Sequence, residues 1–199
     1  MERLVLTQTE VAALEVGQIL RWPLRLPEWM EPLMGEVADQ GLQSLVIRDL
    51  VAPAPSAIVP TGDLKTVASV AAQSPVVWDV RAIQDDSLVD HIAFGNLVES
   101  IGVLCVTQGE VGTFRFEVLT ADEITKLCRD LADLLITQAN PGARLVFTVG
   151  DLRDGRELVI ELVPGKVLVG GEVAIDNPDA DDVMELVRPG LSLESLAKQ

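Results

Sequence analysis

The sequence predicts an α+β protein, with antiparallel strands and helices packed on one face. Three observations predict it. A strand-like alternation runs into a helix-capping pattern at residues 114–123, apolar stripes of helical period follow at 124–135 and occur at 64–71, and short strand-like runs joined by tight turns fill 76–119 and 144–175. In the first of these, Phe114, Phe116 and Val118 alternate with Arg115, Glu117 and Leu119, as in a strand with one buried face. Thr120 then stands three residues before Glu123, the spacing at which a threonine hydroxyl accepts the glutamate's amide N–H while the carboxylate accepts the threonine's own. Ile124, Leu127, Cys128, Leu131, Leu134 and Leu135 follow as one stripe, opposite Lys126, Arg129, Asp130 and Asp133.

The chain opens with an echo of that stretch. Val5-Leu6-Thr7 and Glu10-Val11, with Leu14, match Val118-Leu119-Thr120 and Glu123-Ile124, with Leu127. Either a single α+β domain spanning 1–199 holds two pseudo-symmetric strand-helix halves, 1–117 and 118–199, or two good helix starts coincide.

Gly17 ends the first helix, and Pro23, Pro27 and Pro32 then forbid a regular helix, which predicts an extended connection. Met34 to Leu50 reads as a short helix, a turn at Gly41 and the apolar segment Leu42–Ile47. Pro53, Pro55 and Pro60 make Val51–Thr61 a loop or a short edge hairpin. Asp63–Ala72 reads as a helix capped by Thr61 or Asp63 and stopped at Ser74-Pro75. Val76–Ile83, Val89–Leu97 and Ser100–Gln108 are strands with short links, hence a meander into the Phe114 strand. After the turn at Asn140-Pro141-Gly142, Arg144–Val149 and Arg156–Val163 form a hairpin. Pro164-Gly165 and Gly170-Gly171 bracket Lys166–Val169 and precede Glu172–Ile175. Asp179–Val187 is a helix, and Leu191–Gln199 is a short helix or a frayed end.

The charge is the compositional outlier. Fifteen basic residues against 31 acidic ones leave a net of −16. Such acidity repels phosphate backbones and anionic lipid, so neither nucleic acid nor a membrane surface is an expected partner. No stretch approaches the ~20 apolar residues of a membrane span, and the opening MERLVLTQTEV lacks the basic start and apolar run of an export signal; the cytoplasm is the expected compartment. Cys105 and Cys128 stand in apolar settings and read as buried core residues.

Chemistry is sparse. His91 is the single histidine, so His-rich metal sites are excluded. A pairing with Asp90 or Asp86 would make it a general base, although a strand histidine is more often structural. Asp176, Asp179, Asp181 and Asp182 cluster without the spacing or the glycine of a calcium-binding loop. At a helix start such residues complement the macrodipole, and neither metal nor cofactor is expected. Trp22, Trp29 and Met30 lie in the proline-bearing segment as core anchors or as an exposed contact surface, since Trp and Met are enriched where proteins meet partners.

Several stretches together resemble the actinobacterial type VII secretion-associated EspG chaperones. They are Leu4–Leu14, Trp22-Pro23-Leu24, Leu45–Val51 leading to Ile58-Val59-Pro60, the helix at Leu64–Ala72, the strand Val76–Ile83 and the returning Val118-Leu119-Thr120, most of residues 1–135. Members of that family are cytosolic two-halved chaperones and are longer; here the second half is short and strand-rich, so no partner identity or binding residue carries over. The resemblance implies a non-enzymatic cytoplasmic chaperone or adaptor that binds a protein, such as a secretion substrate. Trp22, Trp29 and Met30 are its expected contact residues. The alternative is a self-associating structural or regulatory protein, a homo-oligomer whose strands between Lys166 and Ile175 pair between copies.

Overall fold

A computed structural model describes residues 3–20, 22, 24, 26, 28–54, 57–99, 101–109, 112–138, 142–152 and 156–187. The chain begins β1 (Leu4–Thr7), α1 (Gln8–Val16), a 3-10 helix (Glu28–Leu33) and α2 (Met34–Ile47). A hairpin, β2 (Val51–Ala54) and β3 (Ala57–Pro60), leads to α3 (Gly62–Gln73). Four strands follow: β4 (Val76–Gln84), β5 (Ser87–Gly95), β6 (Val103–Gly109) and β7 (Thr113–Leu119). After α4 (Ala121–Gln138) come β8 (Ala143–Asp151), β9 (Glu157–Val163), β10 (Lys166–Val169), β11 (Glu172–Asp176) and α5 (Ala180–Leu186).

The fold is α+β and its strand pairs are antiparallel. One nine-stranded sheet has the order β1-β7-β6-β5-β4-β8-β9-β10-β11, and β2–β3 form a sheet of their own. Two four-stranded meanders, β4–β7 and β8–β11, run outward from a shared central pair in which Val80 faces Phe147. The turn chemistry is what the sequence implies. Asp85 and Asp86 link β4 to β5 with φ of 49° and 63°, the pair of left-handed residues that a two-residue hairpin requires.

The helices, expected on one face, divide between two. α1, α2 and α3 cover Leu4, Leu6, Val77, Ala93, Leu104 and Phe114, while α4 and α5 cover Trp78, Phe94, Cys105, Phe147 and Ile160. The cause is legible in the central strands, which are apolar on both parities. Val76, Trp78 and Val80 point to one side and Val77 to the other, and β6 does the same with Cys105 against Leu104 and Val106. Trp78 and Phe94 stack with ring centroids 5.9 Å apart. Both cysteines are buried and unbridged, and removal from water pushes each thiol up to about 12.

Both echoing helix starts form capping boxes. Thr7 accepts the Glu10 amide (3.3 Å) and Thr120 that of Glu123 (3.2 Å), with each carboxylate returning to the threonine amide at 2.8 Å. The two helices nevertheless start toward opposite faces: Leu6 and Leu14 belong to one core, and Leu119 packs with Ile124 in the other.

Three segments depart from the sequence expectation. Residues 28–33 are a 3-10 helix rather than extended, and Pro32 sits inside it. Thr61 precedes α3 without capping it through its side chain; its hydroxyl donates instead to the Asp49 carbonyl, closing the base of the β2–β3 hairpin. Gly41 is no turn, because α2 runs straight through it. The backbone of α1 lies against that point so closely that a Cβ on Gly41 would fall 1.8 Å from the Thr9 carbonyl oxygen. The residues Leu191–Gln199 lie outside the described region.

A polar lock joins the same two helices. Glu10 is fully buried, and its carboxylate accepts from the Ser44 hydroxyl (2.7 Å) and from Arg48 Nη1 (2.8 and 2.7 Å), besides the Thr7 amide. Arg48 also donates to the Val5 carbonyl at 3.0 Å, tying the end of α2 to β1. Burial works to raise the Glu10 carboxyl, but the Thr7 amide, the Ser44 hydroxyl and the Arg48 guanidinium outweigh it and hold it below its ordinary value.

Candidate functional site

Two of the residues singled out for partner contact, Trp22 and Met30, are not a free surface. Trp22 is 7% exposed and packs in the core under α1–α3, where its ring lies so near β5 that a Cβ on Gly95 would approach it to 2.9 Å. Met30 is fully buried with Ala12 and Val37. Both serve as anchors that bring the proline-bearing segment down onto the fold, so the reading of Trp22 and Met30 as an exposed surface is corrected. Trp29 belongs to the 3-10 helix, and its side chain lies outside the described residues.

His91 is likewise interior. It is 2% exposed, and its Nε2 pairs with Asp79 across the β4–β5 ladder rather than with Asp86. Arg81 Nε stands 3.3 Å from the other Asp79 oxygen, and its Nη2 donates to the Thr148 hydroxyl at 3.1 Å. Asp90 accepts the backbone N–H of His91 at 2.8 Å. The cluster thus pairs charged and polar groups between three neighbouring strands, and His91 is not among the residues lining the grooves beside the β2–β3 hairpin or α5.

The acidic cluster before α5 is structural in the same sense. Asp179 caps α5 and exchanges hydrogen bonds with Asp182 (both 2.9 Å), while Asp181 pairs with Arg129 of α4. Among the described residues no three His, Cys, Asp or Glu side chains are arranged to hold a metal ion.

What the fold does present is an apolar groove that sequence reasoning missed. α2 ends at Ile47, where Asp49 turns left-handed (φ 54°) and the Leu50 amide returns to the Leu45 carbonyl at 2.9 Å. The chain then enters β2, whose residues pair Val51 with Pro60 and Pro53 with Ile58, a hairpin lacking any charged side chain. Between this hairpin, α2 and the end of α1 lies a groove of about 520 Å³ lined by Gly17, Leu42, Val46, Val51, Pro53 and Ile58, among others. Next to these lining residues stand Ile47 at 82%, Val16 at 56% and Val59 at 46% exposure. A helix stripe buries about half of a three-residue apolar run, so Leu45-Val46-Ile47 was the signal: Leu45 enters the core and its two neighbours are left outside.

Among the described residues no helix is long and apolar enough to cross a membrane. No protein-family model and no curated protein matches this chain.

Proposed function

We propose that the protein is a non-catalytic, cytoplasmic adaptor of the chaperone type, which binds another protein in the groove between α2 and the β2–β3 hairpin. The observation that carries this reading is a groove lined by Leu42, Val46, Val51, Pro53 and Ile58 without a charged side chain, with Val46 40% exposed in its wall and Ile47, the next residue of α2, 82% exposed. Exposed apolar side chains grouped in this way are characteristic of surfaces that a partner covers, and a groove of this size admits the apolar face of a helix or strand. The resemblance of residues 1–135 to the EspG chaperones makes a type VII secretion substrate the partner to test first. With a photo-crosslinking phenylalanine at position 47, host cytosol yields one dominant adduct, and Ile47→Asp lowers its recovery about tenfold, the effect of putting a charge where a partner covers an exposed apolar side chain beside the groove. Equal recovery with Ile47→Asp at unchanged circular dichroism rejects the groove.

Self-association through the last strands is the weaker reading on physical grounds. Antiparallel pairing of β11 with a second β11 about Ala174 sets Glu172 against Asp176 at both ends, between two chains of net charge −16. Light scattering at tens of micromolar is expected to give the mass of a monomer, and a defined dimer would reverse the ranking.

A further inference from the structure

The β11 edge of the sheet carries a second groove of different chemistry. It lies between α5 and strands β9–β11, with a volume of about 550 Å³. Leu158, Ile160, Val169, Ile175 and Leu186 make its floor apolar. Among the described residues its charged lining is Glu172, Asp182 and Glu185, with no Lys, Arg or His. Asp182 is engaged in the α5 cap, but neither Glu172 nor Glu185 meets a basic side chain among the described residues. Lys166, the base nearest Glu172 in sequence, sits at the far end of β10 opposite Asp176.

We infer that this groove docks an extended segment of a partner protein in which Lys or Arg alternates with Val, Leu or Ile. An apolar floor calls for aliphatic side chains, and a rim of one sign calls for the other; alternation at period two supplies both from one strand. The strand beside the groove fits that occupant and no like copy. β11 is five residues long, is interrupted by a bulge at Ala174 between the Leu168–Val173 and Val167–Ile175 pairs, and carries a carboxylate at each end. Those features repel another acidic edge and attract a basic one. This surface is separate from the α2 groove, since the two share no lining residue and their helices pack on opposite faces of the nine-stranded sheet. An adaptor with both can hold two proteins at once.

The test uses the full chain and a fluorescein-labelled nonapeptide alternating lysine with valine and leucine, followed by anisotropy. The expected result is saturable binding in the micromolar range, absent for the counterpart with glutamate in place of lysine. The double variant Glu172→Lys/Glu185→Lys binds at least about tenfold more weakly. Glu36→Lys/Asp39→Lys, which changes the net charge equally on α2, binds within about twofold of wild type, as does Ile47→Asp. Absence of binding, or equal weakening by both double variants, overturns the inference; the second outcome assigns the effect to overall charge. The α2 groove stands or falls separately, on the crosslink at position 47.

Discussion

Gly41→Ala lowers the stability of the protein by about 3 kcal/mol, although alanine is the better helix former by about 1 kcal/mol. The added methyl meets a backbone carbonyl, that of Thr9, at 1.8 Å, so no rotamer change relieves it and α1 must move off α2 as a unit. Gly35, in the same helix, is the control. Its Cβ would meet nothing within 4 Å, and Gly35→Ala is expected to stabilise by about 0.5 kcal/mol or more. Urea unfolding, with reaction of Cys105 and Cys128 toward a thiol reagent as the readout, checks both, because those thiols are buried and protonated in the native state. A midpoint for Gly41→Ala at or above that of wild type would mean that the close approach of the two helices is not what holds them.

Glu10→Ala costs a comparable amount, about 3 kcal/mol, since it strands the half-buried Ser44 hydroxyl and the Thr7 amide and frees Arg48 from both α1 and its place at β1. Glu10→Gln keeps the shape and loses the charge, for a smaller loss of about 1–2 kcal/mol. The sign of its pH dependence follows from the lowered carboxyl. A group whose native pKa lies below its unfolded value adds stability above the unfolded value, 4.5 here, and loses it as the pH falls through the native one. The gap between wild type and Glu10→Gln is therefore full near neutrality and closes on acidification below about pH 4.5. A gap that is constant from pH 7 to about pH 3 would show that the charge of Glu10 is irrelevant and that its shape alone matters.

Local structure was legible in the sequence wherever a few adjacent residues decide it. Thr7 with Glu10 and Thr120 with Glu123 announce helix starts, Asp85-Asp86 announces a hairpin, and the strands from β4 to β11 fall where the alternation puts them. What depends on distant residues was not. Nothing near Gly41 says that another helix will lie against it, and in isolation a glycine between two apolar stretches reads as a break. Trp22 illustrates the same limit: its place inside the core is decided by Gly95, a residue 73 positions away that leaves room for the ring. Of the functional surface, the apolar excess of Leu45-Val46-Ile47 was visible, but which of the three would be left outside depended on the packing of α2 upon α1. The carboxylates of the second groove come from β11 and α5 and converge only once the chain has turned at Asn177.

The placement of β1 bears on how the chain is made. β1 pairs with β7 alone, Leu4 opposite Phe116, so once it has left the ribosome it has no strand partner until more than a hundred further residues have followed. At ordinary rates of translation that delay is on the order of ten seconds. Throughout it, Leu4 and Leu6 have no β7 to join, and α1 is shielded by α2, Met30 and then α3. The Glu10–Arg48 lock is complete by residue 48, long before β7 exists, and it fastens β1 through the Val5 carbonyl. The nascent chain can thus shelter β1 within a small helical unit and surrender it to the sheet late, the order of events that keeps a sticky strand away from other chains on the same messenger.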